Sequence, residues 1–418
     1  MKIVHFSDVH IGVENFSRID PDTGLPSRLI DFLGTLDEVI DYCINNSVDL
    51  AIFAGDAYKN RNPSQTHQRE FAKRIQRLST AKIPIVLVEG NHDIPSVFGR
   101  ATALDIFKTL NVSNVILGNK ADLHRIKTKS GFIQVITIPW VRRSNLLTRE
   151  ETKGLSLESI NVLIQDKLSS IISDLASQLD TSLPAILASH ITISGSTTSS
   201  EQSMMLGKDY VLLTSSISLP IFDYVALGHI HKRQTINEHN PTINYSGSLE
   251  RIDFGEENDD KGFYSIEINE NATMTNRLKK AEFIKVNARK LLTIKVNVET
   301  ESLDPTEQVL NEISKHDLVD AVVKLTISMP NSYEGKLIDS RIRDALKPAH
   351  YLAGISVIVK GSERVRLGAE YNSSISPMDT LKMYLKIKKT PKKQSSLLID
   401  KALEIIENSG TTNNARNS

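Results

Sequence analysis

Ile85-Val86-Leu87-Val88, followed within two residues by Gly90-Asn91-His92-Asp93, decides how this chain is read. The four apolar residues read as a buried strand, and the glycine ends it. Asn91 and His92 then bring an amide oxygen and an imidazole into one small volume. The same arrangement recurs on either side of this stretch. Upstream, Ile3-Val4-His5-Phe6 runs into Asp8-Val9-His10, and Leu50-Ala51-Ile52-Phe53-Ala54 runs into Gly55-Asp56. Downstream, Ala185-Ile186-Leu187-Ala188 leads to Ser189-His190, and Tyr224-Val225-Ala226-Leu227 leads to Gly228-His229-Ile230-His231. Asp8 and His10 are two apart, so extended backbone would project them to the same side.

Helical spacing fills the gaps between these strands. Leu29, Leu33, Leu36, Val39, Ile40 and Cys43 mark a helix over 28–46, residues 65–79 read as another, and residues 101–110 as a third. Residues 115–139 read as strands with turns. Ile160, Leu163, Ile164, Leu168, Ile171 and Ile172 give a long amphipathic helix over 155–180. Alternating strand and helix predicts an α/β fold with a mainly parallel sheet and helices on both faces. Ligands bind such sheets beyond the carboxyl ends of the strands, where every cluster above falls.

With 418 residues the chain is long enough for two or three domains. Hydrophobic content of 40% and charged content of 24% are ordinary for a globular protein. The single cysteine, Cys43, excludes an internal disulfide and suits a cytoplasmic setting. The first residues open directly on a strand pattern with no signal peptide, and no apolar run approaches the ~20 residues that span a membrane. Fifty basic and fifty acidic residues balance to zero net charge, which argues against tight unaided DNA binding. A local basic face or a gripping partner remains compatible with that balance.

Residues 291–360 read as β-α-β-α-β without ligand-type residues at the strand ends, and we read them as a separate small domain. Ser376-Pro377-Met378-Asp379 has the pattern of a helix start, with Met378, Leu381 and Leu385 along one face. Six lysines fall between Lys382 and Lys393, and a second helix is expected near 396–407 with Leu398, Ala402, Ile405 and Ile406 on one stripe. These helices have the pattern of a partner-docking tail or a DNA-binding arm. Residues 409–418 are polar, and disorder is expected there.

The ligand-type residues are Asp8, His10, Asp56, Asn91, His190, His229 and His231, with His92 beside them. Carboxylate, imidazole and amide oxygen without a thiolate cluster suit manganese, iron or zinc. Seven ligands exceed what one ion takes. Two ions ~3.5–4 Å apart, sharing one carboxylate, fit the count, and Asp56 on a middle strand is the natural bridge. Such a pair activates water and stabilises charge on a phosphoryl oxygen. His5 lies within a strand and reads as a core or supporting residue. His67, His124, His239, His316 and His350 read as surface residues, and Trp140 and Tyr245 as packing rather than base-stacking groups.

In this order the motifs resemble the calcineurin-like metallophosphoesterase superfamily and, within it, the double-strand-break repair nucleases. Asn15-Phe16-Ser17-Arg18, Tyr245-Ser246-Gly247-Ser248-Leu249-Glu250-Arg251 and Phe254-Gly255-Glu256 support the narrower likeness. The resemblance implies a β-sandwich flanked by helices (α-β-β-α) over 1–285. It also implies an α+β capping domain touching DNA over 287–365, a linker and helices docking on a coiled-coil ATPase over 366–408, and a disordered end. It implies two divalent ions, most often Mn²⁺. Asp8, His10, Asp56 and His231 would hold one, and Asp56, Asn91, His190 and His229 the other. His92 would contact the phosphate and protonate the leaving oxygen, with Asp93 orienting it. Lys59, Asn15 and Arg18 fall where substrate contacts are expected. Lys59 stands where the family often has a second histidine, three residues after the bridging Asp. A homodimer within a heterotetramer, acting on DNA ends and single strands, completes the expectation. The rivals are a small-molecule or nucleotide phosphodiesterase and a non-catalytic scaffold.

Overall fold

A computed structural model describes residues 1–95, 99–142, 146–198, 210–299, 303–360, 377–388, 390–391 and 394–403. Its strands are β1 (Lys2–Phe6), β2 (Leu50–Phe53), β3 (Ile85–Val88), β4 (Val115–Gly118), β5 (Asp122–Thr128), β6 (Gly131–Ile138), β7 (Ala185–His190), β8 (Thr192–Ile193) and β9 (Val211–Leu212). They continue with β10 (Tyr224–Gly228), β11 (Gln234–Asn237), β12 (Thr242–Tyr245), β13 (Gly262–Ile268), β14 (Leu278–Lys285), β15 (Leu291–Asn297), β16 (Val322–Pro330) and β17 (Tyr351–Lys360). The helices are α1 (Ser27–Asn45), α2 (Gln65–Thr80), α3 (Asp105–Thr109), α4 (Arg149–Thr152), α5 (Leu157–Ala176), α6 (Pro305–Ile313), α7 (Asp339–Ala345) and α8 (Pro377–Ile387).

The single parallel sheet read from periodicity is corrected, whereas the sandwich implied by the family likeness is what forms. Two six-stranded sheets run β14-β13-β1-β2-β3-β4 and β11-β12-β10-β7-β6-β5. Both centres are parallel: β1, β2 and β3 in the first, β6, β7, β10 and β12 in the second. Strands buried on both faces carry apolar residues at every position, so alternation could not reveal which sheet they join. Leu50 and Ile52 face the second sheet, where they meet Ile186, Ala188 and Ala226. Ala51 and Phe53, on the other face of β2, pack under the α1 side chains Leu29, Leu36 and Ile40. Ala185 and Leu187 likewise pack under Ile164, Leu168 and Ile172 of α5. The result is helix, sheet, sheet, helix.

Strands β13 and β14 carry no counterpart in the sequence reading. They extend the first sheet antiparallel beyond β1, and Gly262 permits this because a Cβ there would lie 2.0 Å from the Ile284 carbonyl oxygen. The helix expected over 101–110 shortens to α3.

The chain divides into two compact units: Met1–Val296 with Thr306–Thr326 and Ile338–Ser356, and Asn297–Pro305 with Ile327–Leu337 and Val357–Ser418. Strands β15, β16 and β17 form their own three-stranded sheet in the order β15-β16-β17. In the second unit Val298 N–H donates to the Ser328 carbonyl, and residues 394–403 are helical after α8. Ser376, Ile405, Ile406, residues 199–203 of the Ser/Thr/Gly-rich loop and the expected disordered end lie outside the described residues.

Candidate metal centre

Strands β1, β2, β3, β7 and β10 finish at one edge of the sandwich, and their last residues or following turns carry all seven ligand-type side chains. Asp8 and His10 do not converge through extended backbone, as expected from their spacing. Strand β1 stops at Phe6, and Asp8 and His10 adopt left-handed backbone with φ of 52° and 48°. Asp56 (φ 61°) and His229 (φ 96°) do the same. Such conformations cost of order 1–3 kcal/mol each, which the surrounding structure must hold in place.

The motif glycines make room for this crowding. A Cβ at Gly55 would lie 2.3 Å from His190 Nδ1, one at Gly90 2.1 Å from Asp56 Oδ1, and one at Gly228 2.1 Å from the Ala54 carbonyl oxygen.

The side chains form one buried knot. His10 Nε2 lies 3.0 Å from His231 Nε2, 3.8 Å from Asp8 Oδ1 and 3.7 Å from Asp56 Oδ2. His190 Nε2 lies 3.3 Å from Asp56 Oδ2 and 3.0 Å from Asn91 Oδ1. His229 Nδ1 lies 3.1 Å from the same Asn91 oxygen. Candidate ligand atoms of Asp8, His10 and His231, of His10, Asp56 and His92, and of Asp8, Asp56 and His190 each fall within 4.8 Å of one another. Asp8 and Asp56 thus join both halves.

The electrostatics call for positive charge. His190 Nδ1 donates to the Ala54 carbonyl at 2.7 Å, which leaves Nε2 facing the Asp56 and Asn91 oxygens. Burial alone would depress the His190 ring, but the Asp56 carboxylate overrides it and raises the ring to about 9. Burial alone would raise the Asp56 carboxyl, but His190, His92 and His10 hold it well below the usual range. His10 and His229 are pushed well below the ordinary imidazole value, first by burial. Oxygen acceptors and imidazole nitrogens aimed at each other across about 3–4 Å suit divalent cations, and the residues present fit them.

His92 sits beside the knot, its ring 5.0 Å from that of His10 and its backbone N–H donating to Asp56 Oδ1 at 2.8 Å. The expectation that Asp93 orients His92 is corrected. His92 Nδ1 donates instead to the Lys59 carbonyl at 2.7 Å. Asp93 is occupied with backbone, accepting N–H groups of Asp56, Ala57 and Gly90 at 2.9–3.0 Å. It shapes the turns that present Asp56 and Asn91. Lys59 therefore contributes its carbonyl as well as its ammonium, whose charge bears on His10.

Asn15 and Arg18 are exposed and do not join the knot. Arg18 lies over the Tyr351 ring at 5.9 Å, Phe16 packs on Phe254 and Tyr351, and Lys324 lies over Phe254 at 5.8 Å. Two arginines escaped the sequence reading: Arg142, which donates to the Ile94 carbonyl, and Arg61, whose charge it feels. Glu256, at the end of the Phe254-Gly255-Glu256 motif, accepts from His231 Nδ1 through Oε1 at 2.9 Å.

His5 is a core residue, bonded to the Tyr224 hydroxyl and facing the Leu227 carbonyl, with burial lowering it to about 3. His67 is less exposed than expected and meets Glu14 at 3.0 Å. Trp140 packs its ring 4.8 Å from His229 and 5.3 Å from Tyr210, and the Tyr245 hydroxyl is buried on Ile191.

The calcineurin-like phosphoesterase family matches residues 1–233, a stretch that contains every residue of the knot from Asp8 to His231. The chain belongs to that family. As a calcineurin-like phosphoesterase it is a metal-dependent phosphoester hydrolase, and its buried carboxylate–histidine knot is where divalent ions fit. The D subunit of the SbcCD nuclease of Staphylococcus epidermidis is 28% identical over 274 residues, covering 65% of this chain and 67% of that protein. The Bacillus subtilis protein of the same name is 28% identical over 262 residues, covering 61% of this chain and 63% of its own length. The chain thus spans about two thirds of the length of these relatives. The solved structure of TT1561 of Thermus thermophilus overlaps with a TM-score of 0.37 at 11% identity, over 68% of this chain and 98% of that one. Among the described residues no helix is long and apolar enough to cross a membrane.

Proposed function

We propose that this phosphoesterase is a DNA nuclease subunit. It uses two divalent ions, manganese by preference, to cleave double-stranded ends in the 3′ to 5′ direction and to cut single strands. The observation that carries the reading is the convergence of Asp8, His10, Asp56, Asn91, His190, His229 and His231, from five strand ends, into one buried knot. Asp8, His10, Asp56 and His231 would hold one ion, and Asp56, Asn91, His190 and His229 the other. When bound, such a pair supplies an activated water and offsets charge on the phosphoryl oxygens.

The remaining steps belong to the chain. His92 has Nδ1 committed to the Lys59 carbonyl, so Nε2 is the nitrogen for the substrate. It contacts the phosphate and gives its proton to the leaving oxygen. Lys59, Arg61 and Arg142 supply cations for the phosphates. Phe16, Phe254 and Tyr351, flanked by Arg18 and Lys324, suit a splayed strand, because aromatic faces stack bases and cations follow the backbone. This local basic and aromatic face answers the zero net charge. The SbcCD name of the relatives supports an SbcC-type coiled-coil ATPase as partner in DNA repair and recombination, and the amphipathic pattern of the tail helices suits them to dock on it. The nuclease subunit would form a homodimer within a heterotetramer.

The test is hydrolysis of linear duplex DNA against cyclic nucleotides under manganese, with and without the ATPase. DNA cleavage is expected. Hydrolysis of the small substrates alone would make the protein a nucleotide phosphodiesterase. Deleting residues 376–418 should abolish co-purification with the ATPase and leave metal content intact; unchanged co-purification would remove the docking role.

A further inference from the structure

We propose that Glu256 and Lys261 are positioning residues for one half of the metal centre: a buried carboxylate–ammonium pair that locks His231 in the tautomer able to bind a cation. The proposal rests on the two-ion reading above.

Both side chains are buried. Glu256 Oε1 lies 2.9 Å from His231 Nδ1. Its other oxygen accepts Lys261 Nζ at 2.7 Å and the Ile252 N–H at 3.1 Å. Lys261 Nζ also donates to Ser248 Oγ at 2.7 Å and to the His231 carbonyl at 3.2 Å, an oxygen the Ser248 N–H reaches at 3.1 Å. The pair therefore grips His231 at both its ring and its backbone. Gly247 permits this approach, since a Cβ there would lie 2.7 Å from the His231 carbonyl oxygen.

An ionised Glu256 can only accept. Nδ1 of His231 must then carry the ring proton, and Nε2, 3.0 Å from His10 Nε2, keeps its lone pair for a cation. Lys261 Nζ holds the second oxygen of that carboxylate and the His231 carbonyl together, so the acceptor and the ring it faces keep one geometry. The other half of the centre reaches the same tautomer differently, since His190 Nδ1 donates to the Ala54 carbonyl, an acceptor in every protonation state. Loss of the charged pair should therefore injure one ion and spare the other.

An ion pair that served stability alone would not discriminate between ions. The full-length protein offers a reporter, because Trp140 is its only tryptophan and its ring lies 4.8 Å from His229 and 6.3 Å from His190. Paramagnetic Mn²⁺ bound there quenches it, while electron paramagnetic resonance of free Mn²⁺ counts all bound ions. For wild type we expect two ions. For Lys261→Met and for the isosteric Glu256→Gln we expect an unchanged Trp140 quenching midpoint and a second ion weakened ~10–100-fold, the usual cost of losing a ligand's supporting partner. Should Lys261→Met fail to fold, Glu256→Gln carries the same prediction. Two ions bound as in wild type, or both weakened alike, would overturn the positioning role. A wild type that binds fewer than two ions would overturn the two-ion reading and this inference with it.

Discussion

The two ends of the sandwich handle buried polar groups in opposite ways. Where β1, β2, β3, β7 and β10 finish, oxygens and imidazole nitrogens face one another, and Asp8, His10, Asp56 and His229 sit in left-handed backbone. Where the same strands begin, buried charge is matched by the backbone. Arg277 donates to the carbonyls of Leu183 and Thr181, each at 2.7 Å, and lies 3.9 Å from Asp223. Asp223 accepts the Ala185 N–H at 2.9 Å. One end is arranged for a missing charge and the other for closure. Strain and unmet acceptors are tolerable at the first because the second, with the apolar layer between the sheets, holds the strands in place.

That contrast can be broken by mutation. The largest effect is expected at Gly90, where a Cβ would lie 2.1 Å from Asp56 Oδ1 and 2.5 Å from its backbone nitrogen. Gly90→Ala should abolish binding of both ions and all hydrolysis, read by metal analysis and a phosphodiester assay. Two bound ions in that variant would mean Asp56 does not join the halves. His92→Ala should keep both ions and lose ~10²–10⁴ in rate, the range for removing a general acid; surviving cleavage would strip His92 of its role.

At the opposite end the signs reverse. Arg277→Met should cost ~3 kcal/mol of stability, as breaking a buried pair does, and leave metal content unchanged. Denaturant unfolding alongside metal analysis checks both halves of that statement, and lost ions would show that the ends are not independent. The smallest effect is expected at Asp223, whose carboxyl burial raises from 3.8 to about 6, against the pull of the Ala185 N–H and Arg277. The folded protein keeps this proton to about pH 6, while the unfolded chain releases it near 3.8. Its contribution to stability therefore falls as pH rises through that window and stays lost above it. Asp223→Asn should flatten the slope of stability between pH 4 and 6. Parallel pH profiles for variant and wild type would contradict the assignment.

Much of the knot was legible in the sequence because each ligand follows an apolar run too short for a helix. Such runs end in a parallel sheet, and their ends share an edge. What was illegible depends on tertiary partners. The apolar faces of β2 and β7 look alike from either sheet, so two sheets read as one. Asp8 and His10 meet through left-handed backbone that spacing does not report. Glu256 has only a motif position in the sequence and Lys261 none, until the fold brings both against His231. The Lys59 carbonyl that holds His92 carries no sequence mark at all, because every residue has one.

Everything above depends on Asp56 being shared by two cations. Anomalous diffraction from crystals grown with manganese tests it most directly. Two peaks are predicted ~3.5–4 Å apart, both in contact with Asp56, one bounded by His10 and His231 and the other by Asn91, His190 and His229. A single peak, or two that do not both touch Asp56, would contradict it.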